Sequence, residues 1–291
     1  MISVIQVDHL QKNYGEHIGI RDVTFSAEEG EILGFVGPNG AGKSTTIRTL
    51  MGFIFASGGT ASIDGLDCGK NSKEIKAFTG YVPSEVRLYG NMRVKELLGY
   101  NNSFYGNSVL QETSRLCQLF EVDTSKRFRE LSTGNKKKVS IVCALCAKPK
   151  AVILDEPTSG LDPLMRKALF EELRQMVADG MTVLLSSHDL AEVEEYCDRV
   201  AFIRDGTIIA VSNLKESVKP RKIIRITGGN TVLPEGLELL RQEQDHRVLR
   251  TDADGKNLLA ALSSLAPDDF TVENERMEER FWDLYGKGEK A

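Results

Sequence analysis

The 291-residue chain has 41% hydrophobic and 27% charged residues, which is typical of a folded protein with one large or two modest domains. Its formal net charge of −5 argues against general nucleic-acid binding, which requires a basic surface, so we expect no nucleic-acid partner. No apolar run reaches the roughly 18 residues of a membrane span, and the N-terminus lacks a signal-peptide pattern, so we expect a cytoplasmic protein.

The first half of the chain predicts strands that lead into a glycine-rich turn, followed by helices. Partial alternation of apolar residues predicts strands at 2–10 and 21–27, and the apolar run at 31–36 predicts a buried strand just before the turn. Apolar periodicity after the turn indicates helices at 43–52, 92–120 and 136–147.

The next part of the chain alternates strands with helices. Buried strands are predicted at 151–154 and 181–185, and helices at 164–178 and 190–197. Asp205-Gly206 is a strong hairpin signal between strands predicted at 200–203 and 207–211. Together these elements predict an α/β fold with a mainly parallel sheet, helices on both faces and antiparallel strands at its margin.

The pattern changes near Lys219-Pro220. Beyond it the sequence predicts strands at 221–227, 246–251 and 270–273, and helices at 237–244, 257–265 and 276–285. This composition predicts two domains, at 1–219 and 220–291, the second being a small α+β domain. We find no catalytic constellation in the second domain.

The five cysteines, an odd number without a secretion signal, indicate reduced thiols. Cys143 and Cys146 form a C-x-x-C pair, which also occurs in metal and redox sites. Their context is an apolar helix without a second ligand pair, so we favour two small core residues over a metal or redox site.

The most specific motif is the glycine-rich turn, which reads G-x-x-x-x-G-K-[ST] between a strand and a helix. Its glycines let backbone N–H groups surround phosphates, and the helix N-terminus adds positive potential. Lys43 is expected to bridge the β- and γ-phosphates, and Ser44 to bind Mg²⁺. The predicted nucleotide-contacting residues of this segment are Gly37, Pro38, Asn39, Gly40, Ala41, Gly42, Lys43, Ser44 and Thr45.

Acidic and imidazole side chains follow two further buried strands. Asp155 and Glu156 end one strand, and His188 follows another. The carboxyl ends of parallel strands meet at one edge of a sheet, where ligands bind. We therefore expect Asp155 to hold Mg²⁺ through water, Glu156 to polarise the attacking water, and His188 to contact the γ-phosphate.

A second anion site is predicted at the start of the helix near residue 136. Ser132 and Gly134 lie in the segment Leu131-Ser132-Thr133-Gly134-Asn135, and a serine and a glycine at a helix start suit an anion. Because the glycine-rich turn already binds the phosphates of its own crevice, this site suits the nucleotide of a second copy. The alternative is a plain helix cap, which the local chemistry alone would favour.

These motifs, in this order, resemble the ATP-binding subunits of ATP-binding cassette (ABC) transporters over residues 2–215. The resemblance implies a P-loop NTPase fold with a helical subdomain at about 85–147, and ATP and Mg²⁺ as cofactors. It also implies that Tyr14 stacks on adenine and that Asp162 belongs to the D-loop, while 131–135 is the signature. In the family, two subunits pack head to tail with ATP between them.

The same resemblance implies the partners and the location. A second ATP-binding subunit, most simply an identical copy, and separate transmembrane permease subunits are expected, with the chain peripheral on the inner face of the cell membrane. The extension after residue 220, including the ending 277–282, resembles the branch that exports drugs, antimicrobial peptides and sodium. Export is therefore expected.

Two positions depart from the family pattern. The signature reads Ser-Thr-Gly-Asn in place of Ser-Gly-Gly-Gln, and Ser84 stands at the position of the Q-loop glutamine. Serine is too short to reach Mg²⁺ and the membrane subunit, so either Glu85 or a water takes that role, or the coupling differs. Two alternatives remain open, namely a non-transport ABC ATPase acting on ribosomes or DNA, and a regulatory subunit that binds ATP without hydrolysing it.

Overall fold

The computed structural model describes residues 2–15, 17–215, 221–243 and 246–275. It divides into two compact units, Met1–Leu214 and Lys215–Ala291. Each unit has its own sheet and its own hydrophobic core.

In the described part of the first unit, the centre is a ten-stranded sheet with the order β5-β4-β1-β2-β10-β9-β3-β8-β7-β6. The neighbours from β9 to β6 pair in parallel, while β1 pairs antiparallel with β2 and β4, and β10 with β9. This is the predicted parallel sheet with an antiparallel margin. The strands are β1 (Ser3–Tyr14), β2 (His17–Glu28), β3 (Ile32–Val36), β4 (Gly58–Ile63), β5 (Leu66–Asp67), β6 (Thr79–Val82), β7 (Ala151–Asp155), β8 (Thr182–Ser187), β9 (Arg199–Arg204) and β10 (Thr207–Asn213).

Helices lie between these strands. They are α1 (Lys43–Leu50), α2 (Ser72–Phe78), α3 (Val94–Asn102), α4 (Leu110–Leu119), α5 (Thr133–Leu145), α6 (Pro163–Ala178) and α7 (Leu190–Tyr196), with 3-10 turns at Asn107–Val109 and Phe128–Glu130. The single helix predicted over 92–120 is wrong in one respect, because the chain turns at 103–109 and forms two helices. Ser103 Oγ donates to Tyr100 O at 2.7 Å and ends the first of them.

The segment from β4 to β6 was not predicted as regular structure. Its sequence over 58–71 is rich in glycine and polar residues and carries little apolar periodicity. These strands form through pairing with neighbouring strands: β4 pairs with β1, and β6 pairs in parallel with β7.

The central strands β3, β7 and β8 are buried along their whole length. Parallel strands covered by helices on both faces are expected to contain continuous apolar runs, such as those at 32–36, 151–154 and 183–185. Because β3, β8 and β7 are adjacent and parallel, their carboxyl ends lie side by side. The residues that follow them are thus brought to one edge of the sheet.

An ion pair between Asp198 and Arg174 links the amino ends of β3 and β9 to helix α6. Asp198 Oδ2 accepts a hydrogen bond from Ile32 N at 2.7 Å, and Arg174 Nη1 lies 2.9 Å from both carboxylate oxygens. Asp198→Ala is expected to lower the free energy of unfolding by about 3 kcal/mol, because it leaves a half-buried guanidinium and a buried N–H without this acceptor. The loss is measured by denaturant unfolding of the full chain, followed through the transition of the first unit.

Glu171→Ala is the control for this prediction. It breaks the Lys167–Glu171 ion pair, whose side chains are 68% and 61% exposed, and is expected to change stability by less than about 0.5 kcal/mol. Equal effects of the two substitutions would contradict the role given to Asp198.

The second unit contains an antiparallel sheet with the order β12-β13-β11-β14 in its described residues. Its elements are β11 (Lys222–Thr227), β12 (Glu238–Glu243), β13 (His246–Thr251), α8 (Gly255–Leu265) and β14 (Asp269–Asn274). Helix α8 packs Leu258, Leu262 and Leu265 against Ile224, Ile226 and Leu249 of the sheet.

One element of this unit was predicted wrongly. The segment 237–244 was predicted as a helix, because leucine, glutamine and glutamate favour helices. Its residues Glu238–Glu243 form strand β12, which pairs with β13 and places Leu239 opposite Leu249. Strand pairing therefore overrides local propensity here. The helix predicted at 276–285 and the ending at 277–282 lie outside the described residues.

Candidate functional site

The glycine-rich loop connects the buried strand β3 to helix α1. Gly42 caps the helix with φ of 109°, and a Cβ there would lie 2.9 Å from Gly19 O, so only glycine fits without strain. Residues 38–40 are exposed at the rim, while Ser44 and Thr45 are half-buried in the first helical turn. A helix N-terminus facing an open loop is an anion-binding arrangement.

Lys43 lies buried inside this loop. Its Nζ donates to Gly37 O at 2.6 Å and to Pro38 O at 3.3 Å, and it lies 4.0 Å from Glu156 Oε1. Burial lowers the pKa of Lys43, while the nearby carboxylates of Glu156 and Asp155 oppose that shift. The Lys43 ammonium group is thus held between the glycine-rich loop and the acidic end of β7.

The acidic residues are held by hydrogen bonds with the adjacent strand β8. Asp155 is buried and accepts from Ser186 Oγ at 2.7 Å, and Glu156 N donates to Ser186 O at 3.1 Å. Glu156 Oε2 lies 2.7 Å from Nδ1 of His188, whose ring is largely exposed. The structure therefore brings Lys43, Asp155, Glu156 and His188 together, as the sequence predicted, while their chemical roles stay predictions.

Tyr14 lies beside the first turn of α1. A Cβ at Gly19 would lie 2.8 Å from Tyr14 Cε2 and 3.3 Å from Thr45 Cγ2, so the ring and the threonine methyl flank this glycine. Lys12 Nζ lies 5.1 Å from the centre of the Tyr14 ring, which is about half exposed. An exposed aromatic surface next to the loop is available for stacking on a base.

Oxygen atoms are the donors available to a metal at this edge. The Ser44 hydroxyl and the Asp155 carboxylate fit Mg²⁺, which prefers oxygen ligands and commonly keeps waters and phosphate oxygens in its shell. Over the ranges that the structure describes, no three histidine, cysteine or acidic side chains are grouped as a metal cage. The cysteines that the structure describes are all free thiols.

The second anion site is predicted at the start of α5. Ser132 caps this helix, with Oγ accepting from Asn135 N at 3.3 Å. A Cβ at Gly134 would lie 2.2 Å from Gly160 O, so the start of α5 touches the backbone of the loop 159–162. Asp162 caps α6, and the hydrogen bond from Met165 N–H lowers the pKa of its carboxyl. Within one copy, the side chains of Ser132 and Asp162 thus act as helix caps.

Sequence reasoning missed a buried lysine next to the site. Lys137 Nζ donates to Pro83 O and Ser84 O at 2.8 Å each, and to Glu156 O at 3.0 Å. The available signal was its position on α5, because a residue four before Ile141 lies on the apolar face of the helix. Glu85, considered as a substitute for the Q-loop glutamine, is exposed and pairs with Arg87 at 2.9 Å.

Residues 20–159 match the sequence profile of the ABC transporter family. The chain is 33% identical over 235 residues to the linearmycin resistance ATP-binding protein of Bacillus subtilis. This alignment covers 79% of this chain and 74% of that protein. The chain belongs to the ABC transporter family. It is an ATP-binding subunit of that family and an ATPase, as the sequence predicted.

Other members of the ABC transporter family match this chain as well. A Nod factor export ATP-binding protein of Paraburkholderia xenovorans is 33% identical over 273 residues, or 91% of this chain and 88% of that protein. The solved structure of an ABC transporter ATP-binding subunit is 34% identical, with a TM-score of 0.69, and covers 74% of this chain and 91% of its own. The P-loop NTPase fold predicted for the ABC cassette is confirmed.

The assembly of ABC cassettes is documented by a further structure. A bacterial ABC transporter cassette solved as a dimer matches with a TM-score of 0.67 and 22% identity over 72% of this chain, which supports the fold alone. Dimerisation is a property of that solved cassette, and the relatives with higher identity are named as ATP-binding proteins of transport systems. Within the described ranges, none of the helices combines the length and apolarity needed to cross a bilayer.

Proposed function

We propose that this subunit clasps MgATP between the glycine-rich loop of one copy and the start of α5 in a second copy, and that hydrolysis drives export through separate permease subunits. The observation that carries the proposal is the convergence of Lys43, Asp155, Glu156 and His188 at the carboxyl edge of the sheet. This is where nucleotides bind in open parallel sheets.

Residues of the loop and of α1 would hold the nucleotide. The backbone N–H groups of Asn39, Gly40 and Gly42 and of the first turn of α1 would face the phosphates, with Lys43 neutralising their charge. Ser44 and Asp155 are the residues that would hold Mg²⁺, which shields the charge of the transferred phosphoryl group. Tyr14 would stack on adenine, with Thr45 next to it.

Glu156 and His188 would act on the attacking water and the γ-phosphate. The Glu156 carboxylate is oriented by His188 at 2.7 Å and lies 4.0 Å from Lys43 Nζ, so it is placed between the loop and solvent. A carboxylate there can accept the water proton, and the imidazole can donate to phosphate oxygen.

The second copy completes the site. Ser132 and Asp162 are exposed, and Gly134 lies where α5 meets the loop 159–162. We propose a head-to-tail homodimer in which this surface binds the other copy's nucleotide. Residues 220–291 would form an accessory domain, since the Nod factor export relative matches 91% of the chain.

The permease would dock on the helical part of the first unit, at the inner face of the membrane. Tyr89, Tyr100 and Phe104 are 63%, 50% and 67% exposed and contact each other edge to face, with ring centres 6.3 and 5.1 Å apart. An exposed aromatic cluster marks an interaction surface. Because one relative is named an export ATP-binding protein and one solved structure an ATP-binding subunit of an ABC transporter, the proposed occupant is a cytoplasmic segment of the permease.

The direct test is hydrolysis by the purified full chain. We expect slow MgATP hydrolysis, reduced by about a hundredfold when EDTA removes the cation, because Ser44 and Asp155 act through it. Release of phosphate is the measurement. Equal rates with and without EDTA would contradict the metal assignment, and absence of ATP binding would contradict the proposed function.

The transport part has its own test. Affinity purification from membranes is expected to recover a polytopic membrane protein with this chain. Recovery with ribosomes or DNA would favour the non-transport alternative, and tight ATP binding without turnover in the presence of the permease would favour the regulatory one.

The contact between Gly134 and Gly160 predicts a selective defect in assembly. Gly134→Ala places a methyl group 2.2 Å from a backbone oxygen, so the start of α5 must move away from the loop 159–162. We expect ATP-dependent dimerisation to weaken by about tenfold or more, equivalent to about 1.4 kcal/mol. Sedimentation with ATP measures the dimer, while nucleotide binding by the monomer should be unchanged.

Gly99→Ala is the matched control for this prediction. Gly99 is exposed on α3 and a Cβ there meets nothing within 4 Å, so alanine should leave dimerisation unchanged and stabilise the helix by up to about 1 kcal/mol. Normal dimerisation of the Gly134 variant would argue against the surface assigned to the second copy.

A further inference from the structure

Lys137 connects three separate segments of the chain. It lies on helix α5, and its Nζ reaches Pro83 O and Ser84 O, which follow β6, and Glu156 O, which follows β7. Strands β6 and β7 are parallel neighbours, so both segments leave the sheet at the same edge. One ammonium group therefore holds the two loops to α5.

The environment of this lysine is unusual for a cation. Its side chain is 1% exposed, and all three acceptors are backbone carbonyls. In the parts of the chain that the structure describes, no carboxylate lies within ion-pair distance of it. Burial lowers the pKa of Lys137, opposed by Asp155 and Glu156. An apolar side chain would fill this space at a lower cost in free energy than a lysine. The role of Lys137 therefore lies in its hydrogen bonds.

The bond to Glu156 acts on a strained residue. Glu156 has φ of 50°, which costs about 1–2 kcal/mol for a residue with a Cβ. Its N–H donates to Ser186 O at 3.1 Å and its carbonyl accepts from Lys137 at 3.0 Å, so both sides of the residue are held. The direction of the Glu156 side chain depends on this backbone conformation.

The other end of the connection is the start of α5. Ser132 begins the helix five residues before Lys137, and no glycine lies between Gly134 and Lys137. The helix backbone links the two points, since Lys136 N–H donates to Ser132 O at 2.9 Å. Movement at the capping residue would therefore shift the Lys137 ammonium, and with it the Glu156 carbonyl.

We propose that Lys137 is a positioning residue that ties Glu156 to the start of α5, so that engagement of α5 by the second copy's nucleotide sets the position of Glu156 in its own site. The inference rests on the proposed function, because it assigns the α5 start to that nucleotide. One site of the dimer would thereby sense whether the other is filled.

The test compares Lys137→Met with Lys136→Met in the full chain. Methionine keeps most of the length of the side chain and removes the three hydrogen bonds. Lys136 is the neighbouring lysine on the same helix, and its Nζ lies 5.8 Å from the centre of the Phe128 ring. We expect Lys137→Met to lower kcat for ATP by about tenfold or more with KM and ATP affinity within about twofold, and Lys136→Met to match the wild type.

A double-mutant cycle separates positioning from general damage. In a Glu156→Gln background, Lys137→Met should cause no further loss of single-turnover rate, because the carboxylate that it positions is already absent. A loss of the same factor in both backgrounds would overturn the proposal. Wild-type turnover by Lys137→Met would also overturn it.

Folding is monitored by thermal unfolding of each variant. If Lys137→Met does not fold, Lys137→Gln replaces it in the comparison with Lys136→Met. The glutamine amide can still donate to the carbonyls, so this variant should keep part of kcat. Failure of both to fold would assign Lys137 to stability alone and overturn the proposal. A wild-type chain that does not hydrolyse ATP would instead contradict the proposed function.

Discussion

Glu156→Gln is expected to lower ATP turnover by at least about a hundredfold while ATP binding persists, because the amide cannot accept the proton of the attacking water. The substitution preserves the size of the side chain and the backbone contacts to Ser186 and Lys137. With hydrolysis blocked, ATP is retained and the dimer should accumulate. Phosphate release and sedimentation in MgATP measure the two effects.

The control for this substitution is Glu171→Gln. Glu171 lies on α6, is exposed and contacts Lys167 at 3.7 Å, so the same chemical change there should leave turnover at the wild-type rate. Hydrolysis by Glu156→Gln at the wild-type rate would remove Glu156 as the base. Loss of ATP binding in this variant would show that the carboxylate acts in binding and not in the chemical step.

The central part of the site was predictable because its signals are local. Strands β3, β7 and β8 contain continuous apolar runs, and they lead into the glycine-rich loop, Asp155-Glu156 and His188, which a parallel sheet must bring to one edge. Lys43, Asp155, Glu156 and His188 therefore needed no knowledge of long-range contacts beyond the sheet itself.

The features that escaped prediction depend on distant partners. Strand β12 has a helical composition and becomes a strand through its pairing with β13. The contact of Gly134 with Gly160, and the bonds from Lys137 to three carbonyls, join segments that are far apart in sequence. Backbone acceptors carry no side-chain signature, so sequence patterns do not mark them.

The second large effect is expected for Lys43→Ala, which should weaken ATP binding by about ten- to a hundredfold, the loss of a charge-assisted hydrogen bond to phosphate. The substitution removes the buried cation of the loop and leaves the carboxylates of Asp155 and Glu156 uncompensated beside the phosphates. Turnover at saturating ATP should fall further, since charge develops on the transferred phosphoryl group.

Lys43→Ala should reduce binding without unfolding the chain. Burial lowers the pKa of Lys43, which means that the charged form is less favourable in the folded state than in the unfolded one. Removing it should therefore not lower the unfolding temperature by more than about 2 °C. Lys167→Ala, at an exposed lysine of α6, is the control for charge and should bind ATP normally. If Lys43→Ala bound ATP as the wild type does, the glycine-rich loop would not be the phosphate site, and the roles given to Ser44 and Asp155 would fail with it.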